Sequence, residues 1–409
     1  MGNLQSPPPN ERDEVGQRLA AAQHLLAVGS LAAADLQFRA VLALEPNHGD
    51  AHAGLAVVLT RANHLDEAER EADAALATDS ERAYYHYVKG QVYSLKRDWE
   101  GAERVLSAAI VAAPTWGAPF QELAWIFTER GHLEAAEVAA RRALELRPDS
   151  VYAHVQLGHI LLTLERSDEA LPLLEIALRL EPQSATAHDG MARYYLAVNQ
   201  LERAEASARE SLALQPGSVV AHCRLASVLL LQKKYEDALA ESEIALSLEP
   251  RRAYSLYTKG HVLACSGQPI AALLWLEKAM EAAPDKAGFY TEMSRVANLA
   301  RRYVRAELAA RCALKLESDA GFAWVQLGYA LYPQGRIGEA QTAFEAGLKC
   351  QPPLSTTHNG MGWFYLQQGE PERAVPLLRR ALELRPDNEL AQYNLQLALE
   401  YKGKSATSS

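Results

Sequence analysis

Six of the twelve histidines, His52, His86, His154, His188, His222 and His358, fall in one register, each separated from the next by 34 residues or a multiple of 34. A row of imidazoles is what a zinc centre is built from, but zinc needs its nitrogen ligands about 2.1 Å from one point. Side chains that recur once per packed helical element stand about 10 Å apart. The row therefore cannot share an ion, and its members are expected to pack between elements. The four cysteines, Cys223, Cys265, Cys312 and Cys350, include no CxxC pair. They read as small core-filling thiols of a reducing compartment.

Other side chains with reactive potential are equally isolated. A catalytic lysine needs a carbonyl-binding pocket, and no neighbouring residue argues for one at Lys89 or Lys259; a snorkelling stem explains both. Tandem acids such as Asp66-Glu67 and Glu236-Asp237 stand where second helices begin and suit the positive end of the helix dipole. No GxSxG, P-loop or HExxH pattern occurs. The sequence is expected to be non-catalytic, with no cofactor and no metal.

The elements that position these residues follow one rule. Prolines at 46, 114, 148, 182, 216, 250, 284, 352 and 386 are spaced by 34 or 68, and Ser80 and Ser318 fill the two gaps. Units counted from this frame run from Val15 to Asn388, which is 374 residues or eleven periods of 34 without insertion. Each carries the same internal order. In the third it is Gly90, Tyr93, Trp99, Ala102, Leu106, Ala109, Ile110 and Pro114; in the fifth, Leu157, Gly158, Leu161, Ala170, Leu174, Ala177, Leu178 and Pro182. Small residues let two helices approach, larger ones fill the groove between them, and proline stops the second helix.

This pattern resembles the tetratricopeptide repeat, W-x2-L-G-x2-Y followed by A-x3-F and P. The resemblance spans eleven tandem repeats, although tryptophan at the fourth position stands only at Trp324 and units two and nine lack the closing proline. It implies an all-α fold, an α-solenoid superhelix of helix-turn-helix repeats. Residues 389–401 then read as a lone amphipathic capping helix and 402–409 as a polar tail. Residues 1–14, with Pro7, Pro8 and Pro9, read as a disordered leader; Gly2 and Ser6 match the short myristoylation pattern, which by itself would anchor weakly.

A longer period lies over the short one. AYYHYVKGQV at 83–92 returns as AYSLYTKGHV at 253–262, and HDGMARYYL at 188–196 as HNGMGWFYL at 358–366. The offset is 170, or five units, so 49–218 and 219–388 look like a duplication. Two related half-arrays would present two related surfaces.

In the resembled family, first helices line a concave face and their fifth and ninth positions point inward. Here those pairs include Tyr87/Gln91, Gln121/Trp125, Asp189/Arg193, Tyr257/His261, Thr291/Arg295, Val325/Tyr329 and Asn359/Trp363, and the second position adds Tyr84, Tyr152, Tyr254 and Phe322. None of the eleven pairs contains lysine, so the carboxylate clamp by which some family members hold a chaperone C-terminal tail is absent. What remains is aromatic, the residue class that dominates binding hot spots. The expected function is a protein-protein interaction scaffold holding a peptide or helix of a partner protein. A self-assembling scaffold and a regulatory subunit of a separate enzyme are the alternatives. The formal charge of −10 speaks against nucleic acid and anionic membranes. No apolar run reaches spanning length, and the alanine-rich composition suits a cytoplasmic protein.

Overall fold

The computed structural model describes residues 9–407, with side chains from 14 to 401; Gly2 and Ser6 lie outside the described residues. All regular structure among them is helical, and the chain divides into two compact units, to Asn199 and from Gln200. The first unit holds α1 (Pro9–Ala27), α2 (Leu31–Leu44), α3 (Gly49–Arg61), α4 (Leu65–Thr78), α5 (Ala83–Lys96), α6 (Trp99–Ala112), α7 (Gly117–Glu129), α8 (Leu133–Leu146), α9 (Val151–Thr163), α10 (Ser167–Leu180) and α11 (Ala185–Ala197). The second holds α12 (Leu201–Leu214), α13 (Val219–Leu231), α14 (Tyr235–Leu248), α15 (Ala253–Cys265), α16 (Pro269–Ala282), α17 (Ala287–Leu299), α18 (Tyr303–Leu316), α19 (Gly321–Leu331), α20 (Ile337–Lys349), α21 (Ser355–Gln367), α22 (Pro371–Leu384) and α23 (Glu389–Thr407), with a 3-10 turn at Tyr332–Gln334.

From Gly49 onward every first helix begins 34 residues after the last, and from Leu31 every second helix does the same. Differences from the sequence reading lie at the ends. α1 begins at Pro9, inside the stretch read as leader, and α23 continues to Thr407, past the expected limit of the cap.

Local chemistry sets the period. The turn inside each hairpin holds one residue at positive φ, and these residues are Gly29, Asn63, Arg97, Gly131, Glu165, Asn199, Lys233, Gly267, Arg301, Gly335 and Gly369. They too are 34 apart. The following N–H reaches back five residues, as from His64 to Leu59 O (2.9 Å) and Arg302 to Ala297 O (2.8 Å), which closes the first helix with a left-handed cap. Six of the eleven are not glycine, so those turns hold L-residues where the backbone disfavours them.

Within each unit the helices close on small residues. The second helices place alanine at 34, 68, 102, 136, 170, 204, 238, 272, 306, 340 and 374, each fully buried. Larger knobs sit in glycine seats. The Phe344 ring lies against Gly328 of its own hairpin and Gly360 of the next, as Leu174 lies between Gly158 and Gly190.

The histidine row has a hydrogen-bonding role beyond packing. His52, His188 and His222 bond through Nε2 to the carbonyls of Pro46, Pro182 and Pro216, six residues back, and His86 to that of Ser80. Trp324 donates Nε1–H to Ser318 O at 2.9 Å, and Gln392 of α23 donates to Pro386 O. Histidine thus replaces tryptophan because both carry a ring N–H of similar reach. His154 and His358 turn the other way and bond through Nδ1 to Ser150 O and Leu354 O.

Side-chain networks recur at the 170-residue offset. Arg141 and Arg166 pair with Glu137 and Glu169 in the first unit, and Arg311 and Arg336 pair with Glu307 and Glu339 in the second. Lys89–Asp73 (2.5 Å) and Lys259–Glu243 (3.0 Å) correspond likewise, so each lysine is ion-paired to the second helix of the preceding hairpin.

Candidate binding clefts

The first helices of each unit line a cleft. In the second unit it encloses about 580 Å³, walled by Arg295 and Asn298 of α17, Phe322, Val325 and Tyr329 of α19, and Thr356, Asn359 and Trp363 of α21. Leu390, Tyr393 and Asn394 of α23 complete it. Tyr329 meets Trp363 edge-on at 4.9 Å, and Trp363 meets Tyr332 at 5.2 Å, so the indole is braced between two rings. Burial pushes the Tyr329 phenol well above its usual range.

The first unit carries a smaller cleft of about 340 Å³, lined by Val57, Thr60 and Arg61 of α3, Gln91 and Leu95 of α5, Glu122 and Trp125 of α7, and Tyr152 of α9. Trp125 lies against Trp99 at 6.0 Å. Burial pushes the Glu122 carboxyl up. Tyr87, also raised by burial to about 12, meets Trp116 at 4.8 Å and accepts a hydrogen bond from Gln91 Nε2 at 3.0 Å. Tyr84 and Tyr152 are exposed.

The two positions expected to point inward behave differently. The ninth residues Gln91, Trp125, Arg193, His261, Arg295, Tyr329 and Trp363 are half-buried. Among the fifth residues Ala53, Val155, Asp189, Cys223, Val325 and Asn359 are buried, whereas Tyr87, Gln121, Tyr257 and Thr291 are half-buried. For Val155, Val325 and Asn359 the cause is the next first helix of their own unit. Val155 packs against Gly190 and Val325 against Gly360, while Asn359 Oδ1 accepts from Asn394 Nδ2 at 2.9 Å. The open aspect expected for Asp189 and Asn359 is therefore corrected. Arg193 reaches Thr163 Oγ1 through Nη2 at 2.9 Å.

A third group gathers on α15 and α17. Tyr257 stacks between Tyr254 (6.2 Å), His261 (5.9 Å) and Phe289 (5.0 Å). Glu292 bridges His261 and Arg295, and its carboxyl, although burial raises it, is held below the usual range by those two cations. The core-filling reading of the cysteines holds for Cys223 alone. Cys265 and Cys312 are exposed and Cys350 is partly so.

Leu390, Tyr393 and Asn394 were missed as cleft residues. The signal was available, since Glu389 falls at the first position of a twelfth period, which puts Leu390 second and Tyr393 fifth.

Family models described as tetratricopeptide repeat match residues 25–92 and, with a second model, 122–188, 190–253, 325–389 and 359–406. No curated protein matches the chain. Among solved structures, the APC/C hetero-tetramer Cut9-Hcn1 aligns over 92% of this chain and 95% of its own, at 15% identity and a TM-score of 0.59. That similarity is one of fold. Yeast Tom70 (11% identity, 97% of each chain, TM-score 0.48) and pilF of Pseudomonas aeruginosa (21%, 52% of this chain and 96% of that one, 0.44) align less closely in space. No described helix is long and apolar enough to cross a membrane.

Proposed function

The chain belongs to the tetratricopeptide repeat family, and on that premise we propose that it is a non-catalytic scaffold whose second unit holds a peptide or helix of a partner protein in the aromatic cleft. The observation that carries this reading is the wall formed by Phe322, Tyr329, Trp363 and Tyr393, four aromatic side chains from three helices around about 580 Å³. Large, rigid, partly exposed rings supply contact area at low entropic cost, as binding hot spots do. Asn298, half-buried on the same wall, adds an amide suited to a ligand backbone, while Asn359 and Asn394 are buried and bond to each other.

On this reading the ligand is not a chaperone C-terminal tail held by a carboxylate clamp. No first-helix groove pair offers lysine, and Lys89 and Lys259 are tied to Asp73 and Glu243. The two units offer different surfaces. At the 170-residue offset Trp363 replaces Arg193, Tyr329 replaces His159 and Arg295 replaces Trp125, while the ion networks beneath are retained. This favours two dissimilar sites over a doubled one.

The test is selection of peptides on the full chain, followed by affinity measurement on variants. Tyr393→Ala removes an exposed ring and should weaken the selected peptides at least about tenfold, the loss of one hot-spot side chain. Trp363→Ala should weaken them further. Unchanged affinity in both variants would place the ligand elsewhere.

A further inference from the structure

Cys265 closes α15 with its side chain exposed, and it has a partner that the other three cysteines lack. One turn back, His261 Nε2 stands 4.0 Å from its Sγ. The other ring nitrogen, Nδ1, lies 2.7 Å from Glu292 Oε1 on α17. Glu292 is buried and its carboxylate is gripped by Arg295, with Nη2–Oε1 at 2.6 Å and Nε–Oε2 at 2.7 Å. Tyr257 lies within 7° of parallel to the imidazole and fixes its plane.

The arrangement orders the protons. A carboxylate held ionised by a guanidinium calls for N–H at Nδ1 of His261, and a proton on Nε2 as well makes the ring a cation facing the sulfur. Burial works against that charge, but Cys265 and Glu292 outweigh it and push His261 up to about 9. The hydrogen bond from His261 in turn holds the Cys265 thiol below its usual range, against its partial burial. Of the other charges acting on the sulfur, Arg295 favours the thiolate and Glu292 opposes it. Burial pushes Cys223 and Cys350 the opposite way.

We propose that Cys265 is a reactive thiolate that exchanges with small aliphatic disulfides, making this face of α15 a site of reversible mixed-disulfide modification. In the step, the Cys265 sulfur lone pair forms a new S–S bond to one sulfur of the disulfide. The old S–S bond breaks, and its electron pair leaves with the departing thiolate. The disulfide is the only oxidant, and the proton given up by Cys265 resides on His261. The first unit is a built-in contrast. At the 170-residue offset Leu95, Gln91, Glu122 and Trp125 stand for Cys265, His261, Glu292 and Arg295, so only the carboxylate is kept. Leu95 lines the cleft there, and a group attached at Cys265 would occupy the corresponding face.

The experiment exposes the reduced full chain to oxidised glutathione from pH 5.5 to 9 and follows each cysteine by peptide mass spectrometry. Exposed Cys312 serves as the in-chain reference. At pH 6.5 Cys265 should gain glutathione at least about threefold faster than Cys312, a margin kept modest because nucleophilicity falls with thiol pKa. The advantage should shrink above pH 8.5, where an ordinary thiol also ionises. His261→Gln keeps a polar side chain at a half-exposed position but carries no charge. It should reduce the Cys265 rate to that of Cys312 while leaving Cys312 unchanged, which also reports that the fold persists. Glu292→Gln should act in the same direction. Equal rates and equal pH profiles for Cys265 and Cys312 in the parent chain would overturn the proposal, as would a Cys265 rate indifferent to His261→Gln.

Discussion

Gly328→Ala should destabilise the second unit although it replaces a mid-helix glycine with the best helix former. Helix propensity alone favours the change by about 1 kcal/mol. Against it, a Cβ at 328 would stand 2.6–2.7 Å from three atoms of the Phe344 ring. Comfortable carbon–carbon contact begins near ~3.5 Å, so the ring must retreat by nearly 1 Å. It has no room to do so. Phe344 is fully buried and hemmed in by the rings of Tyr329, Trp363 and Phe364, with centroids 5.4, 6.2 and 5.7 Å away. Overpacking of this kind costs about 1–3 kcal/mol. The expected net loss is up to about 2 kcal/mol, or a fall in Tm of up to about 8 °C for a unit of this size. Gly288→Ala is the control, since nothing lies within 4 Å of its Cβ site. It should be neutral to stabilising by up to about 1 kcal/mol. Chemical denaturation of both variants decides the matter. In a Phe344→Leu background, where a flexible side chain replaces the ring, the Gly328→Ala penalty should shrink by about 0.5 kcal/mol or more. A Gly328→Ala chain more stable than the parent by the full helix-propensity gain of about 1 kcal/mol would refute the packing argument.

Arg301 sits at φ 56° in an exposed turn, so Arg301→Gly should raise stability by about 0.5–1 kcal/mol, read from the urea midpoint. His222 bridges Pro216 O and Glu241 Oε2. His222→Phe should cost about 1–2 kcal/mol, and His222→Trp should recover part of it by restoring the N–H that Trp324 supplies in its own unit. Glu292→Gln should cost about 2 kcal/mol or more at pH 7, because it leaves Arg295 and His261 short of a partner. Since the folded Glu292 carboxyl lies below its ordinary value of 4.5, its contribution is complete above that value and fades as pH falls through the folded one. The stability gap between the two chains should therefore narrow below pH 4.5 in a series of urea titrations.

The eleven-fold period and the helix boundaries were legible in the sequence because they rest on local chemistry. A left-handed residue ends each first helix, proline or its substitute follows each second helix, and alanine marks each close approach. Such signals act within a few residues and need no partner elsewhere. Which side chains remain open was decided by tertiary structure. Packing of one hairpin on the next buried Asn359 at a fifth position and left Trp363, at a ninth, on a cleft wall. The same stacking sets the ninth residue of one unit over the sixth of the next, bringing His261 to Glu292 across 31 residues of chain. It also made the capping helix a wall of the cleft through Leu390 and Tyr393. A repeat pattern fixes where helices start and stop; burial and charge pairing depend on how neighbouring hairpins lie against each other, and that is a property of the fold.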